Sequence, residues 1–189
     1  MKYKVMIVED QTMPRELFEL RVQASERFEL ALSIDNAALA DVYCLRFPVD
    51  LILMDVITRD GENGLDAAAR IKRAFPQIKI IIVTSMPECS YLKRAKEIGV
   101  ESFWYKEEQR ESLLDVMERT MNGESVYPGA SPELTLGMAS SYQFTERELD
   151  ILREITSGDT NQEIADRLNM SVATVKTHIL NMLHHLAIF

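Results

Sequence analysis

Four short apolar runs in the first half of the chain each stop at a residue able to do chemistry. Val5 to Val8 runs into Glu9-Asp10, Leu51 to Met54 into Asp55, Ile80 to Val83 into Thr84, and Ser102 to Tyr105 into Lys106. In an open parallel sheet, ligands gather outside the C-terminal ends of the strands, so these residues share one place. The carboxylates of Glu9, Asp10 and Asp55 repel one another there unless a cation joins them, and hard oxygen ligands of this kind suit Mg²⁺. Lys106 and the Thr84 hydroxyl then face the anionic side of the site. A carboxylate beside a divalent cation, a lysine and a hydroxyl is equipped to attack a phosphorus centre and to hold the transferred group.

The elements around these residues must supply that sheet. β-Branched runs are predicted as strands at 4–8, 28–34, 51–54, 79–83 and 102–105, all but the second reading as fully buried. They alternate with stretches of helical period at 14–24, 37–47, 65–75, 91–98 and 107–121, and Pro48, Pro76 and Gly99 mark exits. Alternation of this kind predicts a doubly wound α/β domain over residues 1–121. From 122 to 143 the pattern dissolves, and three of the seven glycines and two of the six prolines fall there, which marks a linker.

Glu9-Asp10, Asp55, Thr84 and Lys106 in this order resemble the acidic pair, phosphoacceptor, switch hydroxyl and lysine of bacterial response-regulator receiver domains, over residues 4–121. The resemblance implies a flavodoxin-like (βα)5 fold with Asp55 as phosphoacceptor. It further implies that Asp10, Asp55 and the backbone carbonyl of Ile57 bind Mg²⁺, and that Glu9 acts through a metal-bound water. Thr84 and Lys106 hold the phosphoryl oxygens on this reading, and Phe103 is the aromatic switch that moves inward with Thr84. Ile57 and Met86 stand at the positions that flank the water's path, which implies slow autodephosphorylation. The sequence departs from the family in residues 56–63, where Met-Pro is common, in Glu107 where Pro is common, and in Glu9 where Asp is commoner.

Residues 144–189 carry a second pattern. Thr145 to Glu148 forms a capping box that opens a helix to about Thr156, with Gly158 as its stop. Helices follow at 162–168 and 172–186, the latter with Ser171 as N-cap. Ala165 and Val175 stand ten apart across the turn Leu168-Asn169-Met170-Ser171, as a helix-turn-helix requires. Thr145-Glu-Arg-Glu-Leu, Asn161-Gln-Glu-Ile-Ala and Thr174-Val-Lys-Thr-His resemble the LuxR-type DNA-binding domain, and the whole is similar to a NarL/FixJ-type response regulator. By that resemblance Lys176, Thr177, Leu180 and Asn181 occupy DNA-facing positions, with Thr174 near the phosphates. Leu180 departs from a site that is usually polar or basic. The family places a fourth, dimerising helix after the recognition helix; the sequence ends at Phe189, so the chain is expected either to pair through its receiver or to bind half-sites singly and weakly.

Apolar residues make up 47% and charged residues 27% of the 189, which excludes disorder and leaves room for one or two cores. No apolar run approaches the ~20 residues that span a bilayer, so a cytoplasmic protein with no membrane partner is expected. Cys44 and Cys89 lack ligand spacing and read as buried thiols. His178, His184 and His185 read as surface or packing residues. The net charge of −9 divides as −4 over 1–121, −2 over 122–141 and −3 over 142–189. Such acidity argues against nucleic acid unless a local stripe is positive. Residues 171–189 supply one, holding Lys176 and no acid.

The reading is a two-component response regulator whose partners are a sensor histidine kinase, promoter DNA and, when phosphorylated, a second copy of the chain. It is no enzyme apart from self-phosphorylation and autodephosphorylation at Asp55. A phosphoaspartate hydrolase would carry a second Asp two residues after the nucleophile, where Ile57 stands. The altered segment 56–63 keeps open an atypical receiver that binds partners or DNA without phosphorylation.

Overall fold

The computed structural model describes residues 2–59, 63–86, 89–106, 112–129, 135–136, 139–140, 144–156 and 159–185. The chain divides into two compact units, Met1–Ser131 and Pro132–Phe189.

The first unit runs β1 (Tyr3–Val8), α1 (Thr12–Gln23), β2 (Phe28–Ile34), a 3-10 turn (Ala37–Leu39), α2 (Ala40–Arg46), β3 (Leu51–Met54), α3 (Gly64–Ala74), β4 (Lys79–Thr84), α4 (Cys89–Ile98), β5 (Ser102–Tyr105) and α5 (Leu113–Met121). The strands form one sheet in the order β2-β1-β3-β4-β5, every pair parallel. The connections run one way across the sheet from β1 to β2 and the other way from β3 onward, and this switch point opens a crevice at the C-terminal ends of β1 and β3.

Successive strand residues point to opposite faces, so each strand feeds two cores. Met6, Ile52, Ile80 and Phe103 pack with Ala40, Leu65, Ala68 and Ala95 on one side. Val5, Leu53, Ile81 and Trp104 pack with Phe18, Val22, Val116 and Met117 on the other. β1, β3 and β4 are therefore apolar on both faces, as buried parallel strands must be. β2 lies at the sheet edge and is fully buried only at Phe28. Helix α5 starts at Leu113 with Ser112 as its cap, whose Oγ accepts the Asp115 N–H. The expected start at Glu107 lies outside the described residues.

Residues 122–127 differ from the linker expected of them. β5 is the other edge strand, and this segment covers it. Phe103 N–H donates to the Val126 carbonyl at 2.8 Å. The Val126 N–H donates to Ser102 Oγ at 3.1 Å, Ser102 Oγ lies 2.7 Å from Thr120 Oγ1, and Thr120 Oγ1 donates to the Val116 carbonyl at 2.6 Å. Tyr127 OH donates to the Val100 carbonyl, and the Lys96 ammonium lies 5.1 Å from its ring centroid. Gly123, at φ 95°, lets the chain turn back from α5 onto the strand. Composition marked the same glycine as a sign of looseness. Beyond Ser131, β6 (Thr135–Leu136) pairs antiparallel with β7 (Ala139–Ser140).

The second unit contains α6 (Glu146–Thr156), α7 (Asn161–Arg167) and α8 (Val172–His185). The capping box expected at α6 is made: Thr145 N–H donates to Glu148 Oε2 at 2.8 Å and Glu148 N–H to Thr145 Oγ1 at 3.3 Å. A second box, Thr160 with Glu163, opens α7 and was not anticipated. Between α7 and α8, Asn169 takes φ 52°, a left-handed conformation that its short polar side chain tolerates. Phe144, Ile151, Ile164, Ala165, Val175 and Met182 form the core. No described helix is long and apolar enough to cross a membrane.

Ser102 and Thr120 are completely buried. Ser102→Ala strands the Val126 N–H without its acceptor, and a loss of about 1–3 kcal/mol of unfolding free energy is expected. Urea denaturation checks this; an unchanged midpoint would show that the edge cover contributes nothing.

Candidate functional site

The ladder hydrogen bonds bring the strand-end residues together. Asp55 N–H donates to the Val8 carbonyl at 2.9 Å, extending the β1–β3 pairing by one residue and setting Asp55 beside Glu9. Lys106 N–H donates to the Thr84 carbonyl at 2.9 Å, extending β4–β5 in the same way. The backbone carbonyl of Asp55 also excludes any side chain at position 64, because a Cβ on Gly64 would lie 1.8 Å from it. Gly64 N–H in turn donates to the Val56 carbonyl at 2.8 Å, closing an isolated antiparallel bridge between Ile57 and Asn63.

One ammonium serves two carboxylates. Lys106 Nζ lies 2.7 Å from Asp55 Oδ2 and 2.5 Å from Glu9 Oε2. Val56 N–H donates to Asp55 Oδ1 at 2.7 Å, and Gln11 N–H to Glu9 Oε1 at 3.1 Å. Glu9 is fully buried and Asp55 is 5% exposed. Burial pushes both carboxyls above their usual range despite the lysine, with Asp55 adding repulsion on Glu9 and Asp10 adding it on Asp55. Burial pulls the Lys106 ammonium down, but Asp55 and Glu9 together carry it above its ordinary value. Oxygens of Glu9, Asp10 and Asp55 lie within 4.8 Å of one another, the one such group of possible metal ligands among the described residues. Three acids against one lysine leave negative charge in excess, and the all-oxygen donor set fits a hard divalent cation.

The remaining expected residues surround this cluster. Thr84 is buried and its Oγ1 accepts the Met86 N–H at 3.1 Å. Ile57 and Met86 are exposed beyond the strand ends, at 43% and 41%. Thr58 Oγ1 accepts the Ala37 N–H and Arg59 pairs with Asp35, so the described part of the unusual 56–63 segment is tied to the turn after β2. Phe103 is already buried, its ring 5.0 Å from that of Tyr105 and 6.4 Å from that of Tyr127. In this conformation the ring therefore lies inward, the position that the resemblance gives it when Thr84 is drawn to a phosphoryl group. Cys44 is half-buried, and burial raises its thiol to about 11, so it is unreactive near neutrality. Of Cys89 the side chain lies outside the described residues.

On α8, Thr174, Lys176, Thr177, Leu180 and Asn181 are all exposed, and Val175 and Met182 face the core. Ser171 Oγ accepts the Thr174 N–H at 3.0 Å and lies 2.8 Å from Thr174 Oγ1, so Thr174 belongs to the helix cap.

Residues 5–118 match the response regulator receiver domain family, and residues 142–188 match the bacterial regulatory proteins of the luxR family. The chain is similar throughout its length to response regulator protein VraR of Staphylococcus epidermidis, 34% identical over 196 residues that cover 92% of that protein. The chain is a response regulator. VraR of Staphylococcus aureus is 33% identical over the same span. The fold matches RcsB from Salmonella enterica serovar Typhimurium, solved bound to promoter rprA with the phosphomimetic BeF3-. That match has a TM-score of 0.62 at 18% identity, covering 98% of this chain and 92% of the other. A LuxR-family response regulator from Aurantimonas also shares it, with a TM-score of 0.62 at 20% identity, covering 70% and 91%.

In this response regulator the Glu9–Lys106 pair went unanticipated, since the sequence assigned Glu9 to the metal side.

The raised Asp55 carboxyl has a sign that can be tested. Folding favours its protonated form, so stability falls as pH rises from the unfolded-state value through the raised folded one. Asp55→Asn cannot ionise and escapes that loss. Its stability advantage over the wild type should therefore grow as pH rises through and beyond the carboxylate range, as urea titrations at stepped pH would reveal. Mg²⁺ at about ten times its Kd should add about 1.4 kcal/mol to the wild type and nothing to Asp55→Asn. Equal Mg²⁺ stabilisation of both would remove Asp55 from the metal site.

Proposed function

We propose that Asp55 accepts a phosphoryl group from a sensor histidine kinase and that this controls DNA binding through α8. The observation that carries the reading is the convergence of Glu9, Asp10, Asp55 and Lys106 at the C-terminal ends of β1, β3 and β5. A carboxylate oxygen of Asp55 attacks the phosphorus of a phosphohistidine. A P–O bond forms as the P–N bond breaks, and the imidazole leaves with its electron pair and takes up a proton. Asp10, Asp55 and the Ile57 carbonyl, with the help of Glu9, would hold Mg²⁺, and the charge it brings would neutralise the phosphoryl oxygens. Lys106 is placed to pair with one of those oxygens, and the Thr84 hydroxyl with another once it leaves the Met86 N–H. Thr84 and Phe103 form the switch on this reading.

On this reading the receiver spans 1–121, the linker 122–143, of which 122–127 pack on β5, and the helix-turn-helix domain 144–189. Phosphorylation favours a homodimer, for which α1 offers an outward apolar stripe of Met13, Leu17 and Leu20, at 81%, 46% and 64% exposure. The dimeric protein then meets promoter DNA with Thr174, Lys176, Thr177, Leu180 and Asn181. A cytoplasmic location follows from both partners.

Treatment of the full chain with acetyl phosphate and Mg²⁺ should add one phosphoryl group by intact mass, and none to Asp55→Ala. Label retained in Asp55→Ala overturns the assignment. Ile57 and Met86 flank the approach to Asp55 with apolar side chains, so water reaches the phosphoaspartate slowly. Ile57→Asn with Met86→Glu should hasten loss of the label, followed by the same mass measurement over time. Unchanged decay would exclude shielding by these two residues.

A further inference from the structure

Helix α8 presents one continuous outward stripe. Ala173, Lys176, Thr177, Leu180, Asn181 and His184 recur at spacings of three and four and are all exposed. Two of the hydroxyls expected to meet DNA are already engaged within the protein. Thr177 Oγ1 donates to the Ala173 carbonyl at 3.0 Å, and Thr174 Oγ1 lies 2.8 Å from Ser171 Oγ. Leu180 is 53% exposed in the middle of the stripe, one turn from Thr177, and offers no polar atom at all.

A leucine left in water forgoes the gain of burial unless a partner supplies an apolar surface. On base-pair edges in the major groove that surface is the C5 methyl group of thymine, since the other features displayed there are hydrogen-bond donors and acceptors. Asn181, beside Leu180, carries the amide that pairs bidentately with adenine. Lys176, one turn before it, brings the positive charge.

We propose that Leu180, with the methyl of Thr177, reads a thymine C5 methyl in an A·T-containing half-site, which makes Leu180 a specificity-determining residue of this regulator. The inference rests on the DNA-binding reading above. It assigns base discrimination to an apolar contact and leaves phosphate affinity to Lys176.

The test needs a duplex that the protein itself chooses. The full chain, treated with acetyl phosphate and Mg²⁺, selects from a random pool, and each thymine of the enriched duplex is then replaced by deoxyuridine, which deletes the methyl alone. Wild type should lose about fourfold in affinity at one or two of these positions, the worth of one buried methyl. Leu180→Ala should bind the thymine and deoxyuridine duplexes alike. Lys176→Ala should weaken both equally and keep the thymine preference. Deoxyuridine penalties undiminished in Leu180→Ala, or no sensitive thymine anywhere, overturn the proposal while leaving DNA binding intact. Failure to enrich any duplex overturns the DNA-binding reading and this inference with it.

Discussion

The first unit is organised around a charge imbalance that it holds out of water. Glu9 and Asp55 are buried, Asp10 stands beside them, and the Lys106 ammonium pairs with both buried carboxylates. Burying ions is unfavourable even when they are paired, and an unbalanced cluster is worse. The cluster persists because it sits at the end of strands whose apolar residues are covered on both faces, so hydrophobic burial far from the site offsets its cost. The same imbalance is what makes the site useful, since a fully neutral cluster would have no call for a cation.

Rigid placement is the second requirement, and backbone rather than side chains provides it. Asp55 and Lys106 each continue a parallel ladder by one bond, so their positions follow from strand register. A slip of one residue would exchange the two faces of a strand and bury its polar end. Gly64 adds a steric condition, because the chain passes so close to the Asp55 carbonyl that only a hydrogen fits there. The second unit has a smaller core, and it relies more on local signals: capping boxes at α6 and α7, the left-handed Asn169, and the Ala165 and Val175 contact between helices.

Much of this was legible because strand ends in a parallel sheet are set by where apolar runs stop. Asp55, Thr84 and Lys106 could be placed by reading along the chain, and so could the helix-turn-helix, whose signals lie within a few residues of one another. What escaped was set by contacts between distant segments. Ser102 and Val126 are 24 residues apart, and nothing near either announces that one receives the other's N–H. The glycine and proline content of 122–143 described a chain that bends, and residues 122–127 bend onto β5. The Glu9–Lys106 pair was missed for the same reason, because Lys106 is distant in sequence and is brought near only through three strand pairings. The packing of Phe103 near Tyr127, a residue assigned to the linker, escaped in the same way.

These last contacts place β5 at a junction. Its C-terminal end carries Lys106, held between two carboxylates, and its centre carries Phe103, whose N–H holds the Val126 carbonyl. On the proposed phosphorylation of Asp55, Lys106 would exchange a carboxylate partner for a phosphoryl oxygen, because Asp55 would no longer present the same charge. Tyr127, which follows Val126, packs near Phe103, and the Lys96 ammonium of α4 lies over its ring. The segment that leads out of the first unit is thus anchored to the one strand that also positions the lysine, so chemistry at Asp55 and the start of the connection share a single mechanical element.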